Sequence, residues 1–330
     1  MRLKLLKIFA AKIFTTFYFL LFLFAIAPVC RSAEKADGGL PGYFLNLGFG
    51  ARALGMGGAH TAVAGDAGAV YWNPAGLSMV GAKTLQLMHV TLFEDTYYDT
   101  LAYAHPLGYN TTIGLGIARL YSGGFTQRDD NNFPIGSFSD ENTAAILGLA
   151  SRFGNEISIG LSPKIIRKNF AGLSATAFGL DAGMMARPFS QIYPEFTFGL
   201  AVRNIVSPKI QRANLTDAWP FSTRVGVALP YNHNSGKEFG ILLAADAEKK
   251  QNQDAKYYFG LELTFYQDVL AVRGGYEPQG ATAGLGYTLR KNQPYELCIN
   301  YAILKHPTLG LTHRLSLDLS FGGWMPRWLP

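Results

Sequence analysis

Apolar residues recur at every second position along most of the chain after Thr84, and no comparable stretch keeps the 3.6-residue period of a helix. In the segment RLSLDLSF (314–321), three leucines and Phe321 take one face, while Arg314, Asp318 and two serines take the other. Such alternation is typical of a strand with one apolar and one polar side. Fourteen runs of this kind lie between turn signals, at residues 84–93, 99–107, 111–122, 142–153, 156–170, 175–188, 195–206, 222–230, 240–249, 256–268, 269–277, 279–290, 295–304 and 312–321.

Two architectures can use such strands. A soluble sandwich buries the apolar faces between two sheets, whereas a membrane barrel turns them towards lipid. The polar faces here carry many glycines, among them Gly114, Gly160 and Gly183, where a water-exposed sheet would favour Lys, Glu and Thr. Most runs also have the roughly 9–11 residues that cross a bilayer as a tilted strand. We therefore predict an all-β fold, a transmembrane antiparallel β-barrel of about 14 strands over residues 84–321.

The start of the chain has a different pattern, which is typical of a secretory signal. Four basic residues precede the apolar run 13–27, which is shorter than the roughly 20 residues of a membrane-spanning helix. We predict a signal peptide at residues 1–33, with an uncleaved anchor as the alternative. Export agrees with a location in the outer membrane of a Gram-negative (diderm) bacterium, where membrane lipid and the insertion machinery are the expected partners.

Composition narrows the classes of partner further. Much of the formal net charge of +6 lies on basic residues of the predicted signal, so nucleic acid is not an expected partner. Of the two cysteines, Cys30 lies in the signal and Cys298 would remain alone. An intramolecular disulfide framework is therefore excluded for the exported chain.

Residues 34–83 contain many glycines and alanines and show no alternation. Within AVYWNPAGL (69–77), Asn73 can cap a short helix, and Pro74 suits the first turn of that helix. A preceding helical turn would be capped by Asp66. We predict that residues 34–83 form a small helical or irregular plug (a hatch) in the barrel lumen, with a disordered linker as the alternative. Its motif residues are Tyr71, Trp72, Asn73, Pro74 and Ala75, of which the two aromatics are the packing anchors.

Several stretches resemble a known family. The segment GFGARALGMGGAHTAVAGDAGAVYWNPAGLSMV (48–80) resembles the N-terminal signature of PorV/PorQ-type outer-membrane proteins, relatives of the FadL-like transporters of hydrophobic compounds. The likeness continues through FGLDAGMMARP (178–188), LAVRNIVSPKI (200–210) and NYAILKHPTLGLTHRLSLDLSF (300–321).

The resemblance implies a fourteen-stranded barrel with an N-terminal hatch in its lumen. In FadL-like members the hatch guards a passage along which apolar substrates leave sideways through a gap in the wall. In PorV-like members the barrel serves type IX secretion as a partner of the translocon. The tail GGWMPRWLP (322–330) departs from the family, because it follows Phe321, the terminal-strand aromatic expected of an assembly signal.

No enzyme is predicted, and no cofactor or metal is expected. The six histidines show no metal-binding spacing, and no G-x-S-x-G motif is present. The segment GFGARA (48–53) matches a dinucleotide-binding pattern, yet nothing downstream supplies the βαβ units that such a loop requires. The acidic run at 129–132 lacks the Gly and Glu of a calcium loop and is interpreted as a solvated loop.

Charged residues at lumen-facing positions are better candidates. They are Asp181, Arg203, Arg224, Asp246, Glu262, Arg273, Arg290, Glu296, Arg314 and Asp318, of which Asp181, Arg203, Arg224, Glu262, Arg290 and Asp318 are the first choices. Either they pair with one another and with the plug, or some of them, Arg203 and Arg224 first, hold the head group of an amphipathic ligand. Unpaired burial would be costly, so partners are expected.

Pro163 interrupts the strand at 156–170. Because proline cannot donate to the ladder, we predict a kink or bulge there, with a lateral opening in the wall as the functional hypothesis. A closed barrel that tolerates one bulge is the alternative.

The sequence therefore predicts passive transport or binding of a hydrophobic or amphipathic small molecule. The alternative is a secretion-associated barrel that binds exported proteins or other secretion-system proteins. A conduit predicts an apolar track past Tyr71 and Trp72 to a wall gap. A secretion partner predicts apolar residues on the outer loops. The candidates are Phe125, Phe133, Ile135, Phe138, Trp219 and Phe221.

Overall fold

The computed structural model describes residues 42–154, 156–188, 196–212, 215–231, 238–291, 295–306 and 310–322. The predicted signal peptide, the first residues of the predicted plug and the tail beyond Gly322 lie outside the described residues. No helix in these described ranges is long and apolar enough to span a membrane.

Strands make up most of the described chain. They are β1 (Lys83–Thr91), β2 (Thr96–Pro106), β3 (Thr111–Arg128), β4 (Pro134–Phe153), β5 (Ile157–Phe170), β6 (Leu173–Ala186), β7 (Thr197–Val206), β8 (Lys209–Arg212), β9 (Leu215–Ala218), β10 (Ser222–Tyr231), β11 (Phe239–Lys250), β12 (Lys256–Phe265), β13 (Leu270–Glu277), β14 (Gly280–Lys291), β15 (Tyr295–His306) and β16 (Gly310–Phe321). All of the described strand pairs are antiparallel, so the context of a dinucleotide-binding loop is not found among them.

Fourteen of these strands close into one barrel, in which β1 pairs with β16. The closing ladder runs from Lys83 opposite Phe321 to Thr91 opposite His313. The predicted barrel of about 14 strands is confirmed. Strands β8 and β9 pair as a separate hairpin in a region predicted to be a loop. The sequence did not indicate this hairpin, because strands of four residues are too short to show alternation.

The two ends of the barrel differ. We call the end where β1 begins and β16 finishes the proximal end, and the opposite end the distal end. The hairpin between β3 and β4 and the β8–β9 hairpin both belong to the distal end. Strands β3 and β4 have 18 and 20 residues and thus continue beyond the length of their neighbours.

The wall has the inverted sidedness of a membrane barrel. On β16, Leu315 and Leu317 are 50% and 39% exposed, whereas Arg314 and Ser316 are 4% and 1% exposed. Apolar side chains therefore face outward and polar side chains face the lumen, which excludes the sandwich. Exposed aromatics form two rims, with Tyr109, Phe153, Tyr266 and Tyr295 at the proximal end and Phe93, Tyr97, Phe170 and Tyr276 at the distal end.

The N-terminal segment, defined here as residues 42–82, contains four short helices. They are the 3₁₀ helices η1 (Tyr43–Leu47) and η2 (Pro74–Met79) and the α-helices α1 (Ala51–Gly55) and α2 (Ala69–Trp72). As the sequence predicts, Asn73 caps η2, with its side chain accepting from the N–H of Ala75, and Pro74 follows directly. The predicted cap at Asp66 is wrong, because Gly68 occupies the N-cap of α2 and the Asp66 carboxylate binds other side chains.

The N-terminal segment packs against inward-facing residues of the wall. Gly160 on β5 and Gly183 on β6 lie where η2 approaches most closely, since an added Cβ would overlap Pro74 at the first position and Asn73 at the second. Glycine at these positions lets backbone meet backbone. The role of the segment as a plug stays a prediction.

We expect Gly160→Ala to lower the free energy of unfolding by about 1–3 kcal/mol, because the added methyl group meets rigid backbone atoms of Pro74 and Ala75. Gly274→Ala is the matched control, since nothing lies within 4 Å of its added Cβ, and should change stability by no more than about 0.5 kcal/mol. Urea unfolding in lipid vesicles, followed by tryptophan fluorescence, measures both. Equal decreases in the free energy of unfolding of the two variants would contradict the close packing of η2 on Gly160.

Candidate luminal site

The lumen has an apolar side and a charged side. Among the described residues of β1–β4, no charged side chain is buried, and the buried inward positions include Met88, Val90, Tyr98 and Ile146. From β5 onward the buried positions include charged residues as well as apolar ones. The charged residues are Lys164, Asp181, Arg224, Asp246, Glu248, Lys250, Glu262, Arg273 and Arg314. The N-terminal segment lies between the two sides.

Tyr71 and Trp72 stand at the boundary between these sides. Tyr71 stacks on Phe49 with ring centroids 4.8 Å apart, and its hydroxyl donates to the carbonyl of Leu45. The indole N–H of Trp72 donates to the carbonyl of Phe49 at 2.8 Å. Both rings belong to one buried apolar cluster with Val70, Leu77 and Ile146.

Two arginines of the charged side reach the other faces of these rings. The Arg203 guanidinium lies 4.5 Å from the centroid of Tyr71, and the Arg224 guanidinium lies 5.4 Å from that of Trp72. Such cation–π contacts are strongest when water is excluded. The aromatic pair therefore connects the apolar cluster to the cations of the wall.

The Asn-Pro-Ala part of the motif attaches the segment to β5 and β6. The Asn73 side-chain amide donates to the carbonyl of Thr61 at 2.8 Å and to the carbonyl of Met184 on β6 at 3.1 Å. Ser78, at the end of the same helix, donates to Ser158 on β5 at 2.8 Å. The motif therefore anchors the N-terminal segment to the wall of the barrel.

Asp246 is the strongest single attachment point on the charged side. Its Oδ2 accepts from the backbone N–H groups of His60 and Thr61 at 3.1 and 3.0 Å, and from the Thr61 hydroxyl at 2.7 Å. The same oxygen accepts from Nε of Arg224 at 2.9 Å. Another nitrogen of Arg224 donates to the carbonyl of Gly58, so the predicted lumen residue Arg224 contacts both wall and segment.

Glu262 bridges two arginines. Arg52 of the N-terminal segment donates from Nη2 to Glu262 at 2.8 Å, and Arg273 on β13 donates from Nε at 2.5 Å. Nη1 of Arg52 also lies 3.7 Å from the Asp66 carboxylate, which accepts a hydrogen bond from Nε2 of His60 at 3.2 Å. Burial would raise the pKa of the Asp66 carboxyl, but His60 and Arg52 hold it below its ordinary value.

Asp181 and Asp318 are held by different kinds of partner. Asp181 accepts from Nζ of Lys164 at 2.7 Å and from the backbone N–H of Asn204 at 2.8 Å, at an irregularity between β6 and β7. Asp318 accepts from two neutral amides, those of Gln86 at 2.6 Å and Asn300 at 2.7 Å. Arg203 lies 3.9 Å from Glu248.

The predicted lumen residues thus form three separate clusters, around Asp181, around Arg224 with Arg203, and around Glu262, with Asp318 apart. The side chain of Arg290 lies outside what the structure describes. No group of three or more His, Cys, Asp or Glu residues in the described chain could hold a metal ion.

Pro163 lies beside an interruption in the wall. Strand β5 pairs with β4 on both sides of it in one register, through Lys164 opposite Ile146 and Leu161 opposite Leu149, but the two pairs between these are missing. On its other side β5 pairs with β6 without a break. The interruption arises without a register shift, because the proline has no N–H to donate. A lateral opening at this place stays a prediction.

Several contacts were not predicted from the sequence. Lys164 follows the proline that breaks the alternation of its strand, and Arg52, His60 and Asp66 lie in a region without any periodic pattern. Lys164 meets Asp181 only through the register of β5 and β6. Arg52 and Glu262 are far apart in the sequence, and His60 meets Asp66 through the folding of a glycine-rich loop, so spacing along the chain carries no signal for these contacts.

Comparison with known proteins agrees with this architecture. Residues 27–218 match the model of UPF0164, described as an uncharacterised protein family. A UPF0164 protein of Treponema pallidum (strain Nichols) is 26% identical over 182 residues, which are 51% of this chain and 46% of that protein. The chain therefore spans about half the length of this curated relative.

Three solved structures are similar in fold, each at 12% identity. A FadL homologue of Pseudomonas aeruginosa has a TM-score of 0.54 and is matched over 83% of this chain and 99% of that chain. The toluene transporter TodX of Pseudomonas putida gives 0.56, with 83% and 97% covered. The monoaromatic hydrocarbon channel CymD gives 0.59, with 84% and 98% covered.

At 12% identity these likenesses show a shared fold, a closed antiparallel barrel, which agrees with the FadL-like barrel and the outer-membrane location predicted from the sequence. The apolar outer face of the barrel agrees with a place in a lipid membrane. The narrower PorV/PorQ resemblance stays a prediction.

We expect Glu262→Gln to lower the free energy of unfolding by about 3–5 kcal/mol, because it leaves the buried Arg273 without its carboxylate. Glu141→Gln removes the partner of Arg119 in an exposed pair and should cost less than about 1 kcal/mol. Denaturant titration of both variants in the same lipid tests the difference. A loss at Glu262 no larger than that at Glu141 would show that this cluster contributes little.

Proposed function

Since the chain belongs to the uncharacterised protein family UPF0164, we propose its function from its own residues: it is a passive outer-membrane conduit for hydrophobic or amphipathic small molecules. The observation that carries the proposal is the position of the interrupted β4–β5 pairing. Apolar residues of the N-terminal segment lie directly behind that interruption.

The contacts behind the interruption are close. A Cβ added at Gly148, whose pairing partner on β5 is missing, would lie 3.0 Å from Cγ2 of Val70 and would also touch Leu77. Ser162, on the other side of the interruption, donates to the carbonyl of Val70 at 3.2 Å. Val70 and Leu77 thus cover the lumen side of the unpaired stretch. We propose that they close a lateral exit and that the N-terminal segment is the plug that must shift to open it.

An apolar track leads to this place. One buried cluster extends from Phe44 and Trp219 near the distal end, past Tyr71 and Trp72, to Leu77 behind the interruption. A hydrophobic molecule that entered from the distal end would contact apolar side chains along this route. The fold likeness to a toluene transporter and to a hydrocarbon channel makes apolar molecules the first class to test.

The charged side of the lumen would hold the plug in register while the apolar side carries the ligand. Asp246, Glu262 and Asn73 all bind the N-terminal segment by hydrogen bonds. We further propose that the distal end, which carries the long β3–β4 hairpin, faces the outside of the cell.

The alternative role, in binding exported proteins or a translocon, has one observation in its favour. Phe133 and Ile135 are exposed at the tip of the β3–β4 hairpin. Trp219 gives no such support, because it is buried against Phe44. Shortening the hairpin tip at 129–135 should abolish a protein partner and leave small-molecule passage intact.

A reversible crosslink tests the conduit directly. In a Cys298→Ser background, Val70→Cys combined with Gly148→Cys places two thiols within reach of a disulfide across the interruption. We expect oxidation to reduce the accumulation of radiolabelled toluene by diderm cells to the level of cells without the chain, and reduction to restore it, because the plug is released again.

The two single-cysteine variants are the controls and should be insensitive to oxidation. If toluene accumulates equally well with the crosslink formed, then neither the plug nor the wall at Pro163 controls passage, and the proposed route is wrong.

A further inference from the structure

A base and an acid point outward from the wall of the barrel, towards lipid. His89 on β1 and Asp99 on β2 are directly opposite each other, and Nδ1 of His89 lies 2.6 Å from Oδ1 of Asp99. Their side chains are 57% and 49% exposed. The next residues along the two strands, Val90 and Tyr98, are buried in the lumen, so the pair belongs to the outer face.

The pair lies within the apolar band of the wall rather than at its edge. His89 is about six residues from Lys83, the first residue of β1, and Asp99 is about seven residues from Pro106, the last residue of β2. At about 3.3 Å per residue and a strand tilt of about 40°, both lie about 15–18 Å from the proximal end of the wall. An apolar band of about 25 Å extends beyond them, and Phe93, which is 58% exposed, lies further towards the distal end.

Three other outward-facing charges lie at the edge of the band. Arg167, Lys249 and Lys305 are each about ten residues from the proximal end of β5, β11 and β15. Ionisable side chains that contact lipid are costly, and the cost increases with depth in the membrane. The outer surface around His89 and Asp99 therefore indicates a contact with protein.

The polar surface continues onto β3. Arg119 is directly opposite Asp99 in the β2–β3 ladder, and its side chain is 48% exposed. Its Nε donates to Glu141 at 2.6 Å. Because a guanidinium has five N–H donors, Glu141 leaves donors for a second carboxylate. The ring of Tyr97 stacks on His89 with centroids 6.1 Å apart. We call His89, Asp99 and Arg119 the outer cluster.

We propose that the outer cluster is the interface between two copies of this chain, related by a two-fold axis along the membrane normal that passes between β2 and β3. The facing copy then presents its strands in the reverse order. Asp99 of each copy faces Arg119 of the other, so an acid meets a base at both positions. The outer cluster is thus complementary to its own image, whereas lipid tails offer it no partner. The dimer goes beyond the proposed conduit and does not depend on it.

Exchange of charges tests the dimer. Full-length chains with two different affinity tags are co-expressed in diderm cells, and capture of one tag in mild detergent measures the recovery of the other. We expect unaltered copies to co-purify. Asp99→Lys alone, or Arg119→Asp alone, should weaken self-association about 10- to 100-fold in sedimentation experiments, because like charges then face each other across the axis.

Two combinations should restore the dimer. A copy with Asp99→Lys should associate with a copy that has Arg119→Asp, and a chain with both substitutions should associate with itself, since acid again faces base. Lys249→Asp is the matched control, because this exposed charge lies on β11, seven strands from β2 in the ring of fourteen. It should leave self-association unchanged. Circular dichroism checks that each variant keeps its sheet.

Apolar substitutions separate a second copy from lipid as the neighbour of the outer cluster. His89→Leu combined with Asp99→Leu should abolish the dimer, because lipid solvates leucine as well as protein does. If this variant instead unfolds at a higher midpoint temperature and sediments like the unaltered protein, lipid covers the cluster and the dimer is overturned. Unaltered copies that do not co-purify, or single substitutions that the exchanged charges do not rescue, would also overturn it. None of these results bears on the conduit.

Discussion

Pairing of the backbone in hydrocarbon is the constraint on which the rest of this structure depends. Within a bilayer no water satisfies the N–H and C=O groups of a strand, so a sheet must close on itself. The ladder between β1 and β16 provides that closure. Closure also decides which face of every strand points outward, because the apolar side chains must contact lipid. The polar side chains then face the lumen and contact one another.

Polar side chains that are forced inward then need partners, and the register of the strands supplies some of them. Glu262 and Arg273 are directly opposite each other on β12 and β13. Asp246 and Arg224 lie on neighbouring strands and meet diagonally. The N-terminal segment completes these clusters through Arg52 and the backbone of His60 and Thr61. The charges that the barrel has to neutralise therefore also attach the segment.

The apolar half of the lumen follows from the same division. Strands β1–β4 bury no charge in the described chain, so the hydrophobic residues of the segment pack on that side and Tyr71 and Trp72 face both environments. The interruption beside Pro163 lies at the boundary of this apolar half, with Val70 and Leu77 behind it and the Lys164–Asp181 ion pair beside it. The missing β4–β5 pairs, the apolar residues of the lumen and the N-terminal segment thus meet at one place, as the proposed lateral exit requires.

The sequence alone determined the fourteen strands of the barrel and the direction of their faces, because a period of two is a local property that needs no knowledge of distant residues. It also determined the cap at Asn73, since a cap depends on the chemistry of one or two adjacent residues. At Pro163 the sequence indicated an irregularity, and the structure shows two missing pairs without a register shift. Only the tertiary structure decided which inward charges meet. Lys164 with Asp181, and Arg52 with Glu262, are brought together by register and by the path of the N-terminal segment. Likewise, all the lumen-facing arginines look alike in the sequence, and only the closed barrel shows that Arg273 meets Glu262 and that Arg224 meets Asp246, because partners across a sheet are set by closure and register and not by spacing along the chain.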